Sequence, residues 1–242
     1  MARHPRIVLP GIALHVCQRG NNRQDCFRQD TDRLVYLSLL RDYARYRQCA
    51  IHAYCLMTNH VHLLVTPAHA EGCALLMRDL GRCYAAYFNR RYERTGALWE
   101  HPFRSCLVDS TEYVITCYRY IERNPVRAHM VAAAREYRWS SHAGNAGLRA
   151  DPLLAPHAEF LALSGEEMSR RRAYRDLIND AEPSHSLKAL RDATDAGIPL
   201  VGKRLKEQLE KAGVRLKRAA PGPRVRGDGA EDTTGELAFL TK

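Results

Sequence analysis

Several signals are missing from this chain, and each absence narrows what it can be. No stretch of the 242 residues approaches the ~20 consecutive apolar residues that a membrane-crossing helix needs. The opening Met1-Ala2-Arg3-His4-Pro5-Arg6 runs straight into a strand-like segment, without the apolar core of a secretion signal. The eight cysteines, Cys17, Cys26, Cys49, Cys55, Cys73, Cys83, Cys106 and Cys117, form no Cys-x-x-Cys pair. A disulfide framework and a cysteine zinc site are therefore not expected. The thiols read as small buried hydrophobes in a cytoplasmic protein. There is no internal repeat and no acidic excess. Lys and Arg number 37 against 27 Asp and Glu, for a net charge of +10 and a pI near 9.4. Some of that excess serves as a solvated face. The remainder favours a polyanionic partner, nucleic acid first and an acidic membrane second.

What is present fits one good-sized domain with an appendage, at 45% hydrophobic and 26% charged residues. The charge is uneven. Residues 203–226 hold nine Lys/Arg against two Glu, while residues from Gly227 onward hold one Lys against four Asp/Glu. Three regions are expected: a folded core over residues 1–145, a helical, basic accessory region over 146–220, and a disordered tail over 221–242. The Ala220-Pro221-Gly222-Pro223-Arg224-Val225-Arg226-Gly227-Asp228-Gly229 stretch cannot build a core.

Within the core, residues 12–17 read as a strand and Gly20-Asn21-Asn22-Arg23 as a turn. Asp30-Thr31-Asp32 offers a cap to a helix whose apolar positions are Leu34, Leu37, Leu40 and Tyr43/Ala44. Residues 51–57 form a second strand, which Thr58-Asn59 turns into a third that Pro67 ends. Leu76, Leu80, Cys83 and Tyr87 mark a second helix, broken by Gly96. Residues 103–108 make a fourth strand. Asp109-Ser110-Thr111-Glu112 starts a third helix, which Asn124-Pro125 terminates. The order β-α-β-β-α-β plus a helix predicts an α+β, ferredoxin-like fold. Its antiparallel four-stranded sheet carries two helices on one face and leaves the other free for ligand.

The third strand carries the most informative residues, Met57-Thr58-Asn59-His60-Val61-His62-Leu63-Leu64-Val65. Side chains alternate along a strand, so His60 and His62 share one face while Val61, Leu63 and Val65 share the other. Paired imidazoles can hold a divalent metal, or can simply be exposed or hydrogen-bonded histidines. The third helix offers company. Val114, Cys117, Tyr118 and Ile121 form its inner face, and Tyr120 and Asn124 stand four residues apart. A phenol and an amide beside two imidazoles would make a coherent site.

Met57-Thr58-Asn59-His60-Val61-His62-Leu63-Leu64 resembles the His-hydrophobe-His signature of the HUH single-tyrosine transposases. Four further blocks are similar to their REP-associated tyrosine transposase branch: His15-Val16-Cys17-Gln18-Arg19-Gly20-Asn21-Asn22-Arg23; Leu98-Trp99-Glu100; Cys117-Tyr118-Arg119-Tyr120-Ile121-Glu122-Arg123-Asn124-Pro125-Val126-Arg127-Ala128; and Trp139-Ser140-Ser141. Together they cover residues 8–142 in the family's order. The resemblance implies that His60 and His62 bind metal, that Tyr120 is the nucleophile, and that Asn124 is a third, amide-type ligand. It also implies cleavage of single-stranded DNA at hairpin-containing repeats, a 5′-phosphotyrosine link with a free 3′-OH, and Mg²⁺ or Mn²⁺ as the ion. The acting species would be a monomer or a homodimer, with no membrane partner. Thr58 replaces a common proline, and His101-Pro102 replaces a glycine followed by a basic residue.

Elementary chemistry agrees. A divalent ion stabilises the charge that shifts among phosphate oxygens during attack. Phenoxide, of ordinary pKa ~10, is both a nucleophile and a tolerable leaving group, so the strand can be resealed without ATP. Two histidines and an amide are an unusual set for Mg²⁺, so water or phosphate oxygens must complete the shell. Arg19, Arg23, Arg104 and Arg127 are the candidate DNA contacts, with solvated charge as their alternative use. Trp99 either stacks on an unpaired base or packs half-buried. Two other functions compete with the nuclease. A silent nucleic-acid binder on the same fold has no need of all four site residues. A small-phosphoester hydrolase leaves Tyr120 and the basic charge unused.

Overall fold

The structure is a computed structural model that describes residues 6–100, 102–180, 184–214 and 216. His101, the expected tail over 221–242 and most of the basic block beyond Val214 lie outside the described residues.

Four strands, β1 (Ala13–Arg19), β2 (Cys49–Leu56), β3 (His60–Pro67) and β4 (Arg104–Val108), form one sheet in the order β2-β3-β1-β4. All three pairings are antiparallel. Helix α1 (Asp30–Tyr46) links β1 to β2, and α2 (Gly72–Arg91) links β3 to β4. This is the predicted α+β, ferredoxin-like arrangement, with Thr58-Asn59 turning β2 into β3 through a Met57 N–H to His60 carbonyl bond of 2.9 Å. Val61, Leu63 and Val65 are buried, as their alternation requires.

The phase of α1 differs from the spacing. Leu34 is 51% exposed, and the buried stripe runs Asp32, Tyr36, Leu40, Ala44. An aromatic cluster sets it: the Tyr36 ring lies 5.4 Å from Phe27 and 5.1 Å from Tyr84. Asp32 tolerates burial because its carboxylate accepts from the Arg28 and Gln29 N–H groups and from the Tyr87 and Tyr92 hydroxyls. Burial opposes its charge, but those four donors hold its pKa below the ordinary carboxylate value.

Helix α3 (Thr111–Glu122) follows β4. A kink at Arg123 and a new start at Asn124 then give the short α4 (Asn124–Arg127), with Pro125 in its first turn. Pro125 thus ends one helix and opens the next, where its missing N–H has no cost. At the start of α3, Ser110 holds a left-handed φ of 84° and makes no side-chain cap.

Beyond the core come α5 (His142–Asn145), α6 (Ala158–Leu161), α7 (Glu167–Asn179), α8 (Ser184–Ala196) and α9 (Lys203–Lys211). The sheet face opposite α1 and α2 is not free, contrary to the sequence expectation. Helix α3 packs on β2 and β3, and α8 packs on β4 and β1. Tyr174, Ile178, Leu190 and Ala193 of the extension join the same hydrophobic core as the sheet.

Candidate active site

The register of β1 on β3 sets Cys17 opposite His62, Arg19 opposite His60 and His15 opposite Leu64. Opposed residues of an antiparallel pair share a face. His15, Cys17 and Arg19 therefore stand on the same side as His60 and His62. Helices α3 and α4 bring two more groups there. The Asn124 side-chain nitrogen lies 3.5 Å from His60 Nε2. The Tyr120 ring meets those of His62 and His15 edge-on, each at 5.4 Å between centroids. All four predicted site residues, His60, His62, Tyr120 and Asn124, thus converge.

Hydrogen bonds fix the histidines. Asn22 and Arg23 both hold left-handed backbone, with φ of 50° and 58°, in the loop after β1. The Arg23 carbonyl accepts from Asn59 Nδ2 at 3.1 Å, which leaves Asn59 Oδ1 to accept from His60 Nδ1 at 2.6 Å. His60 is then protonated on Nδ1 and bare on Nε2, the nitrogen beside Asn124. A ligating imidazole needs that arrangement. Burial, and then the Arg19 charge, push the His60 pKa down to about 4. His62 is held well below its ordinary value, by burial first and then by the neighbouring His60, His15 and arginines. His15 is pushed down to about 3 by burial, with Arg127 adding to it. All three imidazoles are neutral at pH 7 and able to accept.

Among the described residues no group of three His, Cys, Asp or Glu is placed to hold a metal. The set at this site is of another kind, two imidazoles and an amide. Such a set would supply only a partial shell, which a hard ion would have to complete with oxygen from water or phosphate.

Residues 9–124 match the family model of IS200-like transposases. These residues resemble those of the IS200-like transposases. The solved structure of a REP-associated tyrosine transposase bound to a REP hairpin has the same fold, at a TM-score of 0.52 and 16% identity, with 66% of this chain and 93% of that chain covered. A putative transposase from Deinococcus radiodurans R1 gives a TM-score of 0.36 at 18% identity, over 53% of this chain and 95% of that one. No curated protein sequence matches significantly.

The core surrounds Tyr120 with charge. Tyr120 is 7% exposed. Burial raises its pKa, while a hydrogen bond from Arg191 of α8 and the charge of Arg127 oppose the rise. The Arg127 guanidinium lies 4.5 Å over the Tyr120 ring and donates to the Tyr120 carbonyl. Arg127 therefore contacts Tyr120 directly. Of the other arginines expected to contact DNA, Arg19 is half-buried on the histidine face and Arg23 is exposed in the loop beside Asn59. Arg104, opposite Cys17, is ion-paired with Asp195 of α8 at 2.7 Å. Trp99 packs: its Nε1 donates to the Gly81 carbonyl at 3.0 Å, and its ring lies against Tyr36 and Tyr84.

Asn59, His15, Arg191 and Thr194 were not singled out from the sequence. Asn59 and His15 lie within the motifs of β3 and β1, and His15 has a strand signal: it shares the parity of Cys17 and Arg19, between the buried Leu14 and Val16. Arg191 and Thr194 lie in α8, with no local pattern pointing to the sheet.

Proposed function

We propose that this protein is a metal-dependent endonuclease and strand transferase. It cleaves and rejoins single-stranded DNA at hairpin-containing repeats through a 5′-phosphotyrosine intermediate. The observation that carries this reading is the convergence of Tyr120 and Asn124 on His60 and His62 from separate elements. The family match supports DNA transposition as the context, and the REP hairpin bound by the structural neighbour supports a hairpin partner.

His60 and His62 through Nε2, together with the Asn124 side chain, would hold Mg²⁺ or Mn²⁺. When bound, such an ion supplies Lewis-acid polarisation of the scissile phosphate. The chain's own groups do the rest. The Tyr120 oxygen attacks phosphorus and gives up its proton. The 3′ oxygen leaves and takes one up as a free 3′-OH. Arg191 and Arg127 stabilise the phenolate as it forms. In the reverse step the 3′-OH displaces Tyr120, whose phenoxide is the leaving group. Arg19 and Arg23 lie beside the site and suit a phosphate backbone, while Arg104 is engaged by Asp195.

The test is incubation with an end-labelled hairpin oligonucleotide and Mn²⁺, resolved on denaturing gels. Cleavage is expected in the wild type, with loss in His60→Ala, His62→Ala and Tyr120→Phe. A wild type that binds the hairpin without cutting it would favour a silent binder. Cutting that persists without divalent ion would remove the metal from the mechanism.

A further inference from the structure

Helix α8 comes late in the chain, yet one of its residues is joined to the metal-site face. Thr194 is 3% exposed, and its hydroxyl oxygen lies 2.6 Å from His15 Nδ1. His15 Nε2 lies 3.0 Å from His62 Nδ1, with ring centroids 5.1 Å apart and planes within 9°, a geometry compatible with a hydrogen bond in the plane of both rings.

Such a chain has a direction, and Thr194 sets it. Its single hydroxyl hydrogen goes to the Leu190 carbonyl one helical turn back, at 2.8 Å. The Thr194 oxygen is then an acceptor for its neighbours. Cys106 Sγ stands 3.3 Å away and can donate its S–H. His15 Nδ1–H is the other donor. A neutral imidazole protonated on Nδ1 is bare on Nε2, so His15 must accept from His62 Nδ1–H. His62 is left with a bare Nε2. The arrangement repeats, with different parts, what Asn59 does for His60.

We propose that Thr194, acting through His15, holds His62 in the Nδ1-protonated tautomer and so presents its Nε2 to the metal, which makes α8 part of the active site. The inference rests on the metal-dependent reading above. Thr194 and His15 are positioning residues: neither would touch the ion. The opposite orientation, with Thr194 donating to His15, would reverse every bond and place a proton on His62 Nε2. No ligand can form there.

The experiment uses the full chain labelled with ¹⁵N-histidine. Long-range ¹H–¹⁵N correlation on the metal-free protein reads the His62 tautomer, and electron paramagnetic resonance titration reads Mn²⁺ affinity. The wild type is expected to carry the proton on Nδ1. Thr194→Val, nearly the same shape without the hydroxyl, is expected to lose that preference and bind Mn²⁺ about 10-fold more weakly. Thr194→Ser restores both, which a purely structural role of the threonine methyl would not do. A wild-type His62 protonated on Nε2 overturns the proposal without any variant. So does an unchanged tautomer and affinity in Thr194→Val when the wild type binds Mn²⁺, and then this inference alone falls. If the wild type binds no Mn²⁺ at all, the metal-dependent reading falls and takes this inference with it.

Discussion

At the scale of single residues, the site depends on where protons sit. Asn59 is held by the Arg23 carbonyl and accepts from His60 Nδ1, so its truncation should free His60 to change tautomer. Asn59→Ala is expected to weaken Mn²⁺ binding by about 10-fold or more, and Asn59→Asp, which keeps the acceptor, to weaken it less. Calorimetric titration checks both. His52 makes a separate prediction, away from the proposed metal site. It is buried between the Ala155 carbonyl at 2.6 Å and the Thr66 hydroxyl at 2.8 Å, and burial pushes its pKa down to about 4. In the unfolded chain its ordinary value is 6.5. The unfolded state therefore takes up the proton first as pH falls. The stability His52 contributes is complete above pH ~6.5 and fades towards pH ~4, by about 3 kcal/mol in all. Urea unfolding of the wild type and His52→Gln should show a gap that narrows as pH falls through that window. A constant gap would contradict it. The pairing of His60 with His62 was legible because a strand has a period of two. The tautomers were not, since they depend on Arg23, Asn59, His15 and Thr194, which only the folded chain brings together.

At the scale of elements, the order and type of strands and helices were legible from apolar periodicity, turns and Pro67. The covering of the sheet was not. Helix α8 reaches β1 and β4 through tertiary contacts that no local pattern announces, and the expectation of a free face failed for that reason. Glu122, at the end of α3, ties the extension down. It is fully buried and accepts from Ser141, His142, Asn145 and Tyr174 at 2.6 to 3.0 Å. Glu122 appeared in the sequence only as part of a motif. Glu122→Leu would take from four buried donors the acceptor they share, leaving only Ser141 and Asn145 with a second one, at the Tyr54 and His52 carbonyls. The expected cost is about 3 kcal/mol or more in urea unfolding, with hydrogen-exchange protection of α7 lost early. A loss under 1 kcal/mol would show that α7 is held by its apolar contacts instead.

At the scale of the whole molecule, the basic charge is carried by arginine. No lysine precedes Lys188. Arginine forks match phosphate geometry and stack on aromatic rings. The charge alone pointed to nucleic acid, while the choice of single-stranded hairpin DNA rests on the site and the family. Hairpin binding is expected to weaken with salt, and Arg23→Ala to lower the logarithmic slope by about 1. Arg104→Ala should change it less, because Asp195 already neutralises that side chain. Binding measured by anisotropy from 50 mM to 200 mM salt decides between them. The proposed reaction attaches Tyr120 covalently to DNA. The direct measurement is mass spectrometry of the peptide–nucleotide adduct after incubation with a hairpin oligonucleotide and Mn²⁺. A 5′-phosphoryl group is expected on Tyr120, absent from Tyr120→Phe and retained in Tyr118→Phe. An adduct on another residue, or undiminished cleavage by Tyr120→Phe, would contradict it.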